Sequence, residues 1–237
     1  MSAGAYPARA AAAREIAVVC RRLYERGLIA GPDGNVSVRL GPDRVLVTPS
    51  GLSKIDVGTA DLVEIGLDGA PRRGGRAGVA ASSEVGMHLR IYQRRPDARA
   101  VVHAHPPTAT AFAVAGEALP ADVLPELILQ MGVVPLVPYA TPGTPALADG
   151  LEPYLTGHDA FLLANHGATT LGPTLRVAHQ RMESLEHGAR ILMAARHLGR
   201  VNHLAGEHVR ILAEARRRLA GGSTPPGTGP KGRRRTE

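Results

Sequence analysis

Tryptophan is missing from this sequence, and cysteine occurs once, at Cys20. A single thiol excludes an internal disulfide framework and fits a reducing compartment. Aromatic residues make up 3% of the chain, five Tyr and two Phe, too few rings for the stacking platforms of single-stranded nucleic-acid binders. Long apolar runs are lacking as well. Arg14 and Glu15 interrupt the Ala-rich start before a signal-peptide core can form. No stretch approaches the roughly 18 uninterrupted apolar residues of a membrane span. The expectation is a cytoplasmic protein with neither a nucleic-acid nor a membrane partner.

Positive charge is what the chain has in excess, yet much of it is local. Lys231, Arg233, Arg234 and Arg235 less Glu237 supply 4 − 1 = +3 of the net +7, which leaves +4 on the body as a solvated basic surface. With 237 residues, 44% of them hydrophobic, no composition break and no internal repeat, residues 1–220 read as one domain. Gly221 to Glu237 is Gly, Pro, Ser, Thr and basic residues, and reads as a disordered basic tail.

The pattern along the chain is mixed α/β. Ile16, Val19, Leu23 and Tyr24 recur at helical spacing between Arg9 and Gly27. Val36 to Leu40 alternates as a half-buried strand would, and Arg44 to Thr48 pairs back to make an antiparallel hairpin. Leu62 to Leu67 is a further strand, and Arg72 to Val79 a Gly- and Arg-rich surface loop. Helices are expected from Ser82-Ser83-Glu84 to Pro96, over Thr108 to Val114, Asp122 to Met131, Pro145 to about Leu155, Pro173 to His197 and Asn202 to Leu219; short strands fall at Val133 to Val137 and Ala160 to Ala164. On the Pro173 helix, Leu175, Ala178, Met182, Leu185, Ala189 and Leu192 form the apolar face, and His179, His187 and His197 are expected on the solvated side.

The chemistry concentrates in Val101-Val102-His103-Ala104-His105-Pro106-Pro107. Alternate strand residues share a face, so His103 and His105 project together, about 7 Å apart along the backbone, and can converge on one ion. Pro106 and Pro107 end the strand there. His166, at the end of the apolar Ala160 strand and before Gly167, repeats the arrangement. Glu84 stands in the first turn of its helix, where it is either a capping carboxylate or a fourth ligand. Together the four suit Zn²⁺ or another divalent metal. Two polar corners, Gly34-Asn35 and Ser50-Gly51, lie at strand boundaries where small side chains and backbone amides can receive an anion. Cys20, on an apolar helical stripe, is given no chemistry.

Read in order, Gly34-Asn35-Val36-Ser37, Thr48-Pro49-Ser50-Gly51, Ser82-Ser83-Glu84, Val102-His103-Ala104-His105, Pro138-Tyr139-Ala140-Thr141 and Asn165-His166-Gly167 resemble the class II aldolase/adducin family, over about Arg14 to Leu198. The resemblance implies a single three-layer α/β/α domain around a largely antiparallel sheet, assembled as a homotetramer with sites at subunit interfaces. It implies a metal held by Glu84, His103, His105 and His166, and a substrate phosphate held by Asn35, Ser50, Gly51, Ser82 and Ser83. The small-molecule substrate would be a sugar phosphate such as a fuculose-phosphate-like ketose, cleaved to dihydroxyacetone phosphate and an aldehyde through a metal-stabilised enediolate, with Glu84 moving the proton. Same-family alternatives are a dehydratase, a 4-epimerase or a decarboxylase, or a non-catalytic adducin-like assembly domain. One departure stands out. Leu124 occupies the place of the fuculose-phosphate enzyme's proton-donating tyrosine, and no tyrosine follows Tyr154. Glu126, in the same stretch, is the candidate replacement as acid, or a helix-surface carboxylate.

Overall fold

The apolar run before His103 becomes β5 (Ala100–Ala104), every residue of which is buried. In the computed structural model, which describes residues 5–73 and 78–221, β5 is a central strand of an eight-stranded sheet. It pairs on one side with β1 (Asn35–Gly41), beyond which lie β2 (Arg44–Val47), β3 (Val63–Gly66) and β4 (Pro71–Arg73). On the other side come β8 (Gly167–Gly172), β7 (Ala160–Leu163) and the short β6 (Leu136–Val137). Only β6 and β7 pair in parallel among the described strands.

Strand alternation sorts the side chains into two apolar layers. Val36, Val38, Val102, Ala104, Leu162 and Ala168 face a core completed by α1 (Arg9–Glu25), α3 (Pro107–Val114), α4 (Pro125–Gln130) and α6 (Leu175–His197). Val45, Val47, Val101, Phe161 and Leu171 face the opposite core, closed by α2 (Val85–Arg94) and α5 (Pro145–Leu151). A final helix, α7 (Gly206–Gly221), packs on α4. This is the expected three-layer arrangement around a largely antiparallel sheet.

Several expectations change in detail, each for a physical reason. β1 is buried along all of its length rather than half-buried, because helices cover both faces of the sheet. The sequence reading assigned no strand to Gly167–Gly172, yet β8 pairs with both β5 and β7. The helix expected from Asp122 starts only at Pro125, since the residue before a proline is driven to extended backbone and Leu124 has φ −136°, ψ 121°. Tyr24 is 41% exposed and not part of the buried stripe. His179 is buried, where a solvated position was expected, while His187 and His197 are exposed. The Arg72 to Val79 loop contributes Arg72 and Arg73 to β4; residues 74–77 lie outside the described residues, as does the expected tail after Gly221. No described helix is long and apolar enough to cross a membrane.

Candidate metal centre

Antiparallel register places Asn35 of β1 directly opposite His103 of β5, and Ala104 opposite Ala168 of β8. The end of β5, the start of β1 and the turn between β7 and β8 therefore meet at one edge. That turn is tight. Asn165 takes φ +54°, a left-handed conformation in which asparagine is one of the few tolerated side chains. Gly167 follows because a Cβ there would lie 2.5 Å from His105 Cδ2 and 2.6 Å from the Ala104 carbonyl oxygen. At Gly34, φ is +70° and a Cβ would meet the His103 carbonyl oxygen at 2.6 Å. Both glycines let backbone close in on the histidine strand.

His103, His105 and His166 converge, with one ligand-type atom from each lying within 4.8 Å of the others. Ring centroids are 4.7 to 5.1 Å apart, and His105 Nε2 lies 3.2 Å from His103 Nε2. Glu84 joins them: Oε1 is 3.0 Å from His166 Nε2, and Oε2 is 3.2 Å from His103 Nε2. Glu84 precedes α2 but makes no side-chain cap hydrogen bond, so its carboxylate is turned to the imidazoles and not to the helix end.

Hydrogen bonding identifies what this donor set suits. His103 Nδ1 lies 2.9 Å from the Ala168 carbonyl, which can only accept, so Nδ1 carries the hydrogen and donates. In its metal-binding form the ring then has its lone pair on Nε2, which faces the Glu84 carboxylate and His105 Nε2. Lone pairs aimed at each other across about 3 Å repel unless a cation or proton lies between them. A buried imidazole set by a backbone carbonyl on its far nitrogen is the arrangement that orients metal-binding histidines. Three nitrogens and a carboxylate fit a divalent ion of the zinc type. Burial pushes the Glu84 carboxyl up, but the His103 and His166 imidazoles beside it outweigh this and hold it below the usual carboxylate range. Burial, reinforced by the neighbouring imidazoles, pushes His105 down to about 4, so the ring is neutral and able to ligate.

Behind the ligands, His88 of α2 is fully buried and held down to about 3 by burial. The Tyr92 hydroxyl donates to the Ser37 carbonyl at 3.0 Å, so the Ser37 hydroxyl donates to the Tyr92 oxygen at 2.8 Å and accepts from His88 Nδ1 at 2.7 Å. His88 thus packs under the site, one turn beyond Glu84.

The anion corners are brought to the same edge. The Pro49–Ala81 bridge, with Ser82 N–H donating to the Thr48 carbonyl at 3.2 Å, sets Ser50-Gly51 beside Ser82-Ser83. Asn35 Nδ2 donates to Ser82 Oγ at 3.1 Å and to Glu84 Oε2 at 3.2 Å, while its buried Oδ1 has no partner. One part of the reading is corrected: the Ser50 amide is not free for an anion, because it donates to the Ala80 carbonyl at 3.0 Å. Sequence reasoning also missed Lys54. It is 1% exposed, and its Nζ donates to the carbonyls of Pro32 at 2.7 Å and Leu52 at 3.2 Å, tying together the loops that lead to Asn35 and carry Ser50-Gly51. Its only sequence signal is a lysine in a short apolar stretch. Glu126 stands apart. It is exposed on α4, in a groove of about 610 Å³ shared with Arg26, Gln130, Glu183, His187 and Ile191.

The sequence profile described as Class II Aldolase and Adducin N-terminal domain matches residues 14–193. The chain belongs to the class II aldolase and adducin family. Among its curated relatives, a 3-oxo-tetronate 4-phosphate decarboxylase of Haemophilus influenzae is 32% identical over 198 residues, 82% of this chain and 88% of the relative. An L-fuculose phosphate aldolase of Methanococcus maripaludis is 35% identical over 182 residues, 75% of this chain and 93% of the relative. An L-fuculose 1-phosphate aldolase of known structure superposes with a TM-score of 0.81 at 31% identity, covering 90% of this chain and 98% of the other. Family membership accounts for the order of the motifs, and the relatives' names divide between two kinds of carbon–carbon cleavage.

Proposed function

We propose that the protein is a divalent-metal-dependent carbon–carbon lyase acting on a short phosphorylated 3-oxo acid or ketose. One observation carries this reading: Glu84 meets imidazoles on one side and Asn35 on the other, and Asn35 in turn meets Ser82, so metal-type and phosphate-type groups share one edge. His103, His105, His166 and Glu84 hold the ion, zinc by its donor set. When bound, the ion supplies Lewis acidity that draws off negative charge as the bond beside the carbonyl breaks. Asn35, Ser50, Gly51, Ser82 and Ser83 hold the phosphate. Glu84, kept ionised by its histidine partners, moves the proton at the reacting carbon.

Proton accounting favours decarboxylation. There the bond electrons flow into the carbonyl, carbon dioxide leaves, and the carbon left behind takes one proton, which the ionised Glu84 receives from solvent and hands on. Aldol cleavage also requires a group to take the hydroxyl proton from the departing carbon. Leu124 offers none, and Glu126 lies in another groove. Aldol cleavage is the second reading. It is supported by the relatives named as aldolases, and it calls for Glu126 to act from a neighbouring copy in a cytoplasmic homotetramer.

Both reactions leave dihydroxyacetone phosphate and differ in the co-product. Zinc-loaded protein is therefore given 3-oxo-tetronate 4-phosphate and, separately, fuculose 1-phosphate. Carbon dioxide released with the larger kcat/KM is the expected result, and an aldehyde with the larger kcat/KM moves the assignment to aldolase. Unchanged substrate in both cases, or elimination or epimerisation without carbon–carbon cleavage, refutes the lyase reading.

A further inference from the structure

The three histidines are not anchored alike. His103 is fixed through Nδ1 by the Ala168 carbonyl, whereas the backbone of His166 is set by the tight Asn165 turn and its buried Nδ1 has no hydrogen-bond partner. Outside the histidine cluster, and among the described residues, His105 has only Asp33, whose Oδ2 lies 3.6 Å from Nδ1 and whose side chain is 47% exposed. Its position must come from its backbone, which runs straight into Pro106-Pro107 and α3.

The start of α3 has an uncommon accounting. The residue before it, Pro106, offers no side-chain cap, and neither Pro106 nor Pro107 has an N–H. Thr110 N–H donates to the Pro106 carbonyl at 2.8 Å. The amides left over in the first turn are Thr108 and Ala109, and Glu186 of α6 takes both. Thr108 N–H reaches its carboxylate at 3.0 Å and 3.2 Å, and Ala109 N–H at 2.9 Å. Glu186 is 2% exposed, and Arg190 Nε donates to it at 2.7 Å, which offsets its charge. A buried carboxylate on a helix start is favoured by the helix dipole and by charge-assisted hydrogen bonds.

We propose that Glu186 is the positioning residue for His105. By clamping the first turn of α3 to the long helix α6, it holds the Pro106-Pro107 turn, and through it the backbone that aims the His105 ring at the centre. The inference rests on the metal reading given above. It predicts that loss of the clamp loosens one ligand specifically, not only the fold.

The test compares Glu186→Ala and Glu186→Gln with Thr174→Ala, which removes another helix cap in the same layer, where Thr174 Oγ1 accepts from Val177 N–H at 3.2 Å. Zinc affinity is measured by competition with a chelator, and the His105 ring resonance is followed by NMR in metal-free protein. Glu186→Ala should bind zinc about 10- to 100-fold more weakly, the usual effect of removing a residue that supports a ligand, and its His105 resonance should shift or broaden. Glu186→Gln keeps the side-chain length and one acceptor oxygen, and should fall between Glu186→Ala and the wild type. Thr174→Ala should leave both readings at wild-type values. Should the alanine variant not fold, the glutamine variant decides on the same two measurements. Zinc affinity within twofold of wild type together with an unmoved His105 resonance overturns the proposal. A wild-type protein that takes up no zinc refutes the metal reading instead, and the resonance comparison still decides whether Glu186 positions the ring.

Discussion

Gly167→Ala tests the geometry of the centre without touching any ligand. The new methyl group would stand 2.5 Å from His105 Cδ2 and 2.6 Å from the Ala104 carbonyl oxygen. Ala104 is paired with Ala168 in the β5–β8 ladder, so that carbonyl cannot swing aside without opening the strand pair. The imidazole is the softer neighbour and has to give way. Overpacking of this kind costs about 1–3 kcal/mol, set against about 0.4–1 kcal/mol gained from a stiffer unfolded chain, for a net loss of about 1–2 kcal/mol. The displaced ring should weaken zinc binding about 10- to 100-fold, as other losses of ligand orientation do. Gly188→Ala is the control. Its Cβ would press on Leu127 Cδ1 at 2.6 Å, the far end of a flexible side chain, and mid-helix alanine recovers about 1 kcal/mol. The assay is chelator competition for zinc combined with denaturant unfolding of the metal-free proteins. A Gly167→Ala protein with wild-type zinc affinity and stability would refute the packing argument.

Three further outcomes follow from the same geometry. Glu84→Gln should lose roughly 10²–10⁴-fold in turnover per bound metal while keeping part of its metal through the histidines; near-normal turnover eliminates Glu84 as the proton carrier, and a larger loss in a parallel Glu126→Gln variant transfers that role to Glu126. Asn35→Ala, which deletes the link between Ser82 and Glu84, should raise the inhibition constant of inorganic phosphate about tenfold, and an unchanged constant removes Asn35 from the phosphate site. Burial pushes the Cys20 thiol up from the ordinary 9.0 to about 12, so the folded state keeps a proton that the unfolded chain gives up. This contribution is whole below about pH 9 and is lost as pH rises towards 12. Cys20→Ala should therefore lose stability less steeply than wild type above pH 9, by up to about 1.4 kcal/mol per pH unit, and parallel slopes would contradict the burial argument.

Strong periodicity and strand-end histidines made most of this architecture legible. The parity of His103 and His105, the apolar strand delivering His166 before a glycine, and the stripe of Leu175, Ala178, Met182, Leu185, Ala189 and Leu192 all emerge from spacing, because burial dictates those patterns directly. What stayed hidden depends on partners far along the chain. β8 is bounded by glycines and carries Thr169 and Thr170, which look like loop residues until their hydroxyls meet His103 Nδ1 and the Ala178 carbonyl. Glu186 and Lys54 look like surface charges, since no local pattern announces that their polar atoms will be taken up by backbone groups of Thr108, Ala109, Pro32 and Leu52. His179 looks solvated for the same reason, and the placement of Glu126 depends on how α4 packs against α6.

The scatter of the ligands along the chain also dictates an order of events during synthesis. When His103 and His105 have been made, a growing chain already carries Glu84 as well, and lacks only the third imidazole. The remaining imidazole arrives after α3, α4, β6, α5 and β7, and comes into range only when β8 pairs with β5. High-affinity capture is thus among the last steps of folding, because it requires the strand with the weakest local pattern to find its place. Under the proposed metal reading, uptake of a divalent ion by nascent or refolding protein should report completion of the β5–β8 ladder, and a chain stalled before it should bind the ion only loosely.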